Sequence, residues 1–411
     1  MFEFRLAVKN LWRHKRRTLL TVVVIAFGVM LHATTDSLLA GFEEDSFRAM
    51  VRYETGEVIL TAAGYWADRK ELPKGPAIPE AGQVAARVRR MTGVRGATPQ
   101  LVFAAALNNG VEELPVKAIG ADPRTDGDVL GLHQVVKAGR YLRPGRNEAL
   151  LGQDLTDLMD LKVGDTFTLV LRTKASAFEA TDLTVAGLLK SPDPAVNDGT
   201  VYLPLDVAQG ATGLGTAATH ILVAGQAGYR NVRPLREELR QGLSGLGPAL
   251  DLHTWEDAAA DLLAVSRSKR SFFSVTLGLI AVLAGLGVAN SILLAGIERT
   301  REVGTLKALG LTEGQVTRLF MLEGLGLGLF GGLLGALAAT GTVAYLALVG
   351  LDYSMFSGYN LGLPIELAFR GAWNFPTILS AWATSAVFAF LVSYVPARRA
   401  ARLDPAAALH D

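Results

Sequence analysis

Between Glu298 and Gly310 the chain reads ERTREVGTLKALG, with Glu298, Arg299, Arg301, Glu302 and Lys307 inside the stretch and Glu313 just beyond it. Apolar Val303, Leu306 and Leu309 fall at helical spacing beside these charges, which predicts a short amphipathic helix. Gly304 suits a close surface contact, and Gly310 suits a C-terminal stop. Such a helix is either a lipid-surface element or a docking element for a partner. Attraction to anionic lipid wants a basic face, and here the signs are mixed, so a protein partner is favoured. The residues expected to carry that docking are Glu298, Arg299, Arg301, Glu302, Gly304, Lys307 and Gly310.

Other chemistry-bearing patterns are weak. GLGLFG, residues 326 to 331, matches G-x-G-x-x-G, but a dinucleotide site needs a strand before it and an acidic residue after it. The stretch lies instead in an apolar run where Gly324, Gly328 and Gly332 recur on one helix face, the spacing that lets membrane helices approach closely. The sequence contains no P-loop, no H-E-x-x-H and no G-x-S-x-G, its six histidines are scattered, and cysteine is absent. Disulfides, thiolate metal sites and cysteine nucleophiles are thereby excluded, and no metal site or catalytic residue is expected. A net charge of +1 gives no basic field for nucleic acid.

These residues must be positioned by membrane helices. Half of the 411 residues are apolar and only 19% are charged. Four segments reach the roughly 20 apolar residues that cross a bilayer: residues 18–40, 272–297, 319–349 and 376–395. The first is expected to be a retained span, since it is too long for a signal peptide and GFEEDSFRAMVRYE follows it. Basic residues crowd the tail 1–17, the connector 298–318 and the tail 396–411, which places both termini and the charged helix in the cytoplasm. Arg267, Lys269 and Arg270 count against this but follow a long loop, of the kind that translocates whatever its charge. Residues 41–269 then lie outside. Within the spans, His32, Asp36 and Glu323 are expected to be interfacial groups that are wet or pair with one another, with a proton relay as the alternative.

The exterior region alternates strand-like runs, GEVILTA, LPVKAIGA, DTFTLVLRT, TDLTVAGLL, GTVYLPL and HILVAG, with turn residues. Helices are expected at Glu80 to Arg90, Gly152 to Met159 and Asn231 to Leu243. Amphipathic stalk helices should flank this domain. The fold class is therefore an α-helical membrane protein with four transmembrane helices plus a large α+β extracytoplasmic domain inserted between helices 1 and 2.

ERTREVGTLKALGLTEGQV resembles the coupling segment of the FtsX/MacB/LolC-LolE superfamily of ABC-transporter permeases. LAVKNLWRHKRRTLLTVVVIAFGV, LLGQDLTDLMDLKVGDTFTLV with LTVAGLL, and VPARRAARLDPAAALHD agree with it, so the resemblance covers nearly the whole chain. YETGEVIL after the first stalk and the lack of a fused ATPase are most similar to the lipoprotein-releasing LolC/LolE group.

The resemblance implies a multi-pass inner-membrane permease subunit that is not itself an enzyme and holds no cofactor. Separate LolD-like ABC ATPase subunits would bind ATP and Mg, and a second permease copy or paralogue would complete a dimer. It implies an exterior βαβ-type porter subdomain with a strand-rich insertion, moved through the stalks by mechanotransmission. The substrate would be an acylated lipoprotein or lipid drawn from the inner membrane, passed to a periplasmic carrier where one is used. Phe27, Met30, Leu31, Phe273 and Leu277 are the candidate lipid-cavity residues. The connection Arg172 to Ala180 is short where the carrier-binding member has a protruding loop. Alternatives are a MacB-like efflux or export permease and an FtsX-like signalling scaffold that activates a periplasmic partner.

Overall fold

The computed structural model describes residues 15–72, 75–243, 249–352 and 368–402. Most of the expected basic tail 1–17 lies outside these residues, as do 403–411 of the C-terminal tail and 353–367 between the third and fourth spans. The described residues divide into an apolar unit (15–44, 265–352 and 368–402) and an α+β unit (45–264).

In chain order, α1 (Lys15–Met50) closes on a π-turn, Val51–Thr55. Then come β1 (Val58–Ala62), α2 (Ala81–Val88), β2 (Val94–Asn108), β3 (Glu113–Ala121), β4 (Val136–Gly139), β5 (Glu148–Gly152) and α3 (Gln153–Leu158). They are followed by β6 (Thr166–Arg172), β7 (Phe178–Leu189), α4 (Pro194–Asp198), β8 (Thr200–Pro204), α5 (Leu205–Thr212), β9 (His220–Gly225), α6 (Val232–Leu243), β10 (Leu250–Thr254) and α7 (Trp255–Ala258). The remainder is α8 (Ala260–Glu298), α9 (Thr300–Ala308), α10 (Glu313–Leu348), α11 (Phe375–Val392) and α12 (Tyr394–Ala401), with a two-stranded pair, Leu351–Asp352 and Ala368–Phe369, ahead of α11.

The α+β unit is built on one ten-stranded sheet. Its first part has the order β10-β1-β9-β2, with α2 joining β1 to β2 and α6 joining β9 to β10. Two split βαβ units interleaved in this way give the ferredoxin-like arrangement. Val58, Leu60 and Ala62 of β1 and Ile221 and Val223 of β9 meet Ala85 and Val88 of α2 and Leu235 and Leu239 of α6. The second part is inserted between β2 and β9. There β2, β3, β8, β5, β7 and β6 pair in a closed ring, because β6 bonds to both β2 and β7. Alternate residues point inward, Leu101, Phe103 and Leu107 from β2 and Phe167, Leu169 and Leu171 from β6, as a period of two requires. Closure leaves these strands without a free edge. The β6–β7 connection is a tight turn with Thr173 N donating to Ala177 O at 2.8 Å, and Arg172 lies over the exposed Phe178 ring.

His220 is half-buried in this unit, hydrogen-bonded through Nδ1 to Thr219 Oγ1 at 2.8 Å and edge-on to Tyr65. Burial, with the Lys117 charge nearby, pushes its pKa down from 6.5 to about 3. The folded pKa is depressed, so the stabilising effect of a neutral His220 is complete above 6.5 and is lost as pH falls from there toward 3. The unfolded chain gains a proton that the native state refuses, a slope of at most about 1.4 kcal/mol per pH unit. His220→Gln is expected to flatten this dependence, read as unfolding midpoint against pH for the full chain. Asp126, buried and pushed up to about 6 by desolvation, works in the opposite direction between 3.8 and 6. The wild-type-minus-variant difference therefore isolates the histidine.

In the apolar unit, four helices are long and apolar enough to cross a membrane: Thr18–Thr55, Ala260–Glu298, Glu313–Leu348 and Phe375–Ala401. Helix α10 starts at Glu313, ahead of its apolar run, because Thr312 and Gln315 form a capping box in which Gln315 Oε1 accepts from Thr312 N at 2.8 Å. Two glycine faces fix its neighbours. A Cβ at Gly328 would lie 2.8 Å from Ala386 Cα, and one at Gly332 would lie 2.3 Å from Ser385 Oγ, so this face packs on α11. Gly331 and Gly335 approach Ile25 and Val29 of α1 in the same way.

Candidate functional site

Helix α9 carries the charged segment. Gly310, at φ +100, stops it where a side chain would be strained. Its inner face buries Val303 and Gly304, while Arg301, Glu302, Thr305 and Leu309 are exposed. Leu309, at helical spacing with Val303, was expected on the packed face; it is 75% exposed because it caps the helix rather than continuing it.

The seven expected docking residues divide between two roles. Glu298, Arg301, Glu302 and Gly310 are at the surface, whereas Gly304 is buried and Arg299 and Lys307 turn toward the helix bundle. Lys307 Nζ donates to Ala401 O at the end of α12 at 2.9 Å and lies 3.9 Å from Glu313. Arg299 Nη1 donates to Glu323 Oε1 at 3.0 Å, with both side chains buried. Gly296, just before, meets Ala400 of α12. One face of α9 is thus fastened to α10 and α12, and the other is presented outward.

Glu323, expected to be interfacial, is buried with an arginine 24 positions away. Asp36 and His32 do not pair with each other: Asp36 accepts from Asn374 Nδ2 at 2.6 Å, and His32 lines a cavity. Two of the three basic residues ahead of the second span, Lys269 and Arg270, are matched as well. Glu43 on α1 accepts from Arg270 Nε at 2.9 Å and from Ser266, and Lys269 lies 5.0 Å from the centre of the Phe42 ring.

The cavity, of about 260 Å³, lies between α1, α8 and α11. Ile25, Gly28, Val29 and His32 line it from α1, Ser274 and Leu277 from α8, and Thr384 and Phe388 from α11. Of the five residues expected there, Leu277 contributes. Phe27 is exposed, Met30 packs near Ala33, Ala339 and Ile378, and Leu31 and Phe273 are half-buried outside the lining. Helix α1 turns its Gly28–His32 face into this cavity. The signal for that face is the small residue and the polar residue four positions apart, not the bulky apolar residues beside them. Gly324, Gly328 and Gly332 do lie on one packed face, against Ser393, Ala386 and Ser385.

Four helices long and apolar enough to cross a membrane, a large α+β domain between the first and second of them in the chain, and a charged helix between the second and third make this a membrane protein with a large domain outside the apolar unit. The FtsX-like permease C-terminal family model matches residues 274–405, and the MacB-like periplasmic core domain model matches residues 18–241, more than half of the chain. The chain belongs to this MacB/FtsX family of ABC-transporter permeases. The macrolide export ATP-binding/permease protein MacB of Azoarcus sp. (strain BH72) is 34% identical over 156 residues, 36% of this chain and 21% of that protein. MacB of Agrobacterium fabrum is 24% identical over 98% of this chain and 60% of that protein. The lipoprotein-releasing system transmembrane protein LolC of Xylella fastidiosa is 24% identical over 95% of this chain and 92% of that protein. This chain therefore spans at most 60% of the two MacB relatives and nearly all of the LolC relative.

Proposed function

We propose that this permease extracts acylated lipoproteins from the inner membrane and that a separate ATP-binding chain drives it through α9. The observation carrying this reading is the alignment along 92% of the LolC relative. The cavity between α1, α8 and α11 suits extraction too, since its mainly apolar walls accommodate an acyl chain. Removing such a chain needs ATP, because each buried methylene holds it by about 0.8 kcal/mol. In this reading both termini and α9 are cytoplasmic, the α+β unit is periplasmic, and ATP-driven closure of the partner pushes on α9. The motion travels along α1 and α8, each of which continues without a break beyond its apolar stretch. A second copy or a paralogue completes the working pair.

A MacB-like export permease is the second reading, favoured by the match of the MacB-like core model to residues 18–241. Affinity purification of the detergent-solubilised chain with mass spectrometry separates the two. Recovery of a soluble ATPase with acylated lipoproteins supports extraction, recovery of the ATPase without lipidated cargo favours export or signalling, and recovery of no ATPase overturns the docking role of α9.

A charge reversal tests the outer face. Glu302 also lies 4.0 Å from the Arg299 guanidinium, so the clean variant is Arg301→Glu. The exposed position leaves folding unchanged, while a like-charge contact with the partner weakens ATPase binding roughly tenfold or more. Equal ATPase recovery from variant and parent would remove Arg301 from the docking face.

A further inference from the structure

We propose that Arg299 and Glu323 are positioning residues whose buried ion pair fixes the orientation of α9 against α10, and so the angle at which the outer face of α9 meets its partner. The inference rests on reading α9 as the docking element. Arg299 is itself the break between α8 and α9, with φ −112 and ψ 22. The chain changes direction at the residue whose side chain is anchored. The anchor reaches Glu323 on α10 at 3.0 Å, and the carboxylate of Glu302, on α9 itself, lies 4.0 Å away on the exposed side. At the far end of α9, Lys307 bonds to Ala401 O and faces Glu313. Both ends are therefore fixed by charged groups, and between them only Val303 and Gly304 are buried.

The chemistry explains why charge is used here. A buried ion pair is a poor source of stability, since apolar residues of the same volume are often as good or better. Apolar neighbours are at hand: Leu319, Phe320 and Leu327 on α10 are all buried. What an apolar contact cannot supply is direction. A guanidinium bonded to a carboxylate sets distance and angle together, whereas methyl groups against a glycine face let a short helix roll. Glu302 offers Arg299 a second carboxylate on the moving element, so the bond to Glu323 is what distinguishes one orientation of α9 from its neighbours.

The chain has no cysteine, so Thr305→Cys on α9 and Leu337→Cys on α10, both exposed, place spin labels at two known sites in the full-length protein. The parent should give a single narrow distance distribution. Arg299→Met with Glu323→Leu should keep the thermal unfolding midpoint, because the pair is replaced by apolar volume, while the distribution broadens or shifts. A narrow, unshifted distribution in that folded variant overturns the proposal. Should the double variant not fold, Arg299→Lys retains the charge and loses the planar guanidinium, and its distribution is read by the same criterion. Failure of the docking reading would show separately, as absence of an ATPase from the parent's affinity purification, whatever the distances do.

Discussion

Glu323→Ala is expected to destabilise the apolar unit by about 3–5 kcal/mol, the cost of leaving a buried charge without its partner. In the native protein the Arg299 guanidinium donates from Nη1 to Glu323 Oε1, and both residues are shielded from water, Arg299 at 6% and Glu323 at 5% exposure. Alanine removes the carboxylate, and the buried Arg299 cation must either remain unpaired or be withdrawn. Withdrawal toward Glu302 would pull the α8–α9 break with it, since Arg299 is that break. The loss should therefore appear twice, as a lowered unfolding midpoint in detergent or nanodiscs and as faster proteolysis within residues 298–312. Glu323→Gln should fall between alanine and parent, because the amide keeps the volume and an acceptor oxygen but gives up the charge. A Glu323→Ala protein as stable as the parent would mean that Arg299 finds full compensation elsewhere.

Gly328→Leu is expected to separate α10 from α11. The first added atom, Cβ, would already lie 2.8 Å from Ala386 Cα, Ala389 Cβ and Ser385 O, and two of those belong to backbone that cannot rotate away. Overpacking a close contact costs about 1–3 kcal/mol and occasionally more. Here the strain also breaks the hydrogen bonds that lie on the same face, Trp382 Nε1 to Leu329 O at 3.2 Å and Ser385 Oγ to Gly328 O at 3.3 Å. Gly341 on the same helix has nothing within 4 Å of a built Cβ. Gly341→Leu should be neutral or stabilising by up to about 1 kcal/mol, the helix-propensity gain. The yield of monodisperse protein and its unfolding midpoint separate the two substitutions, and equal behaviour would mean that α10 and α11 do not rely on the glycine face.

Much of the architecture follows from local pattern. The four apolar runs, the strand-like runs in the exterior region and the helices near residues 81–88, 153–158 and 232–243 each announce themselves through periodicity and turn residues over a few positions. Strands β2, β4, β5 and β10 do not. VRGATPQLVFAAALN, with a proline and a run of alanines, looks unlike a strand until its two halves are seen paired with different partners, β9 and β6. Closure of the insertion into a ring is equally illegible, because β6 reaches β2 across about 60 residues of chain.

The functional residues divide along the same line. Sequence alone determined that a charged amphipathic helix lies between two apolar runs, that Gly324, Gly328 and Gly332 share a face, and that no cysteine, P-loop or hydrolase motif is present. These are statements about composition and near-neighbour spacing, and the helical period converts them directly into faces. Only the tertiary structure decided that Arg299 and Lys307 turn inward while Arg301 and Glu302 turn outward, that Arg299 reaches Glu323, and that the Gly28–His32 face of α1 lines the cavity. The rotation of a helix about its own axis, and the partner it meets, are set by close packing among elements far apart in the chain. Local spacing holds no information about which of two available faces that packing selects.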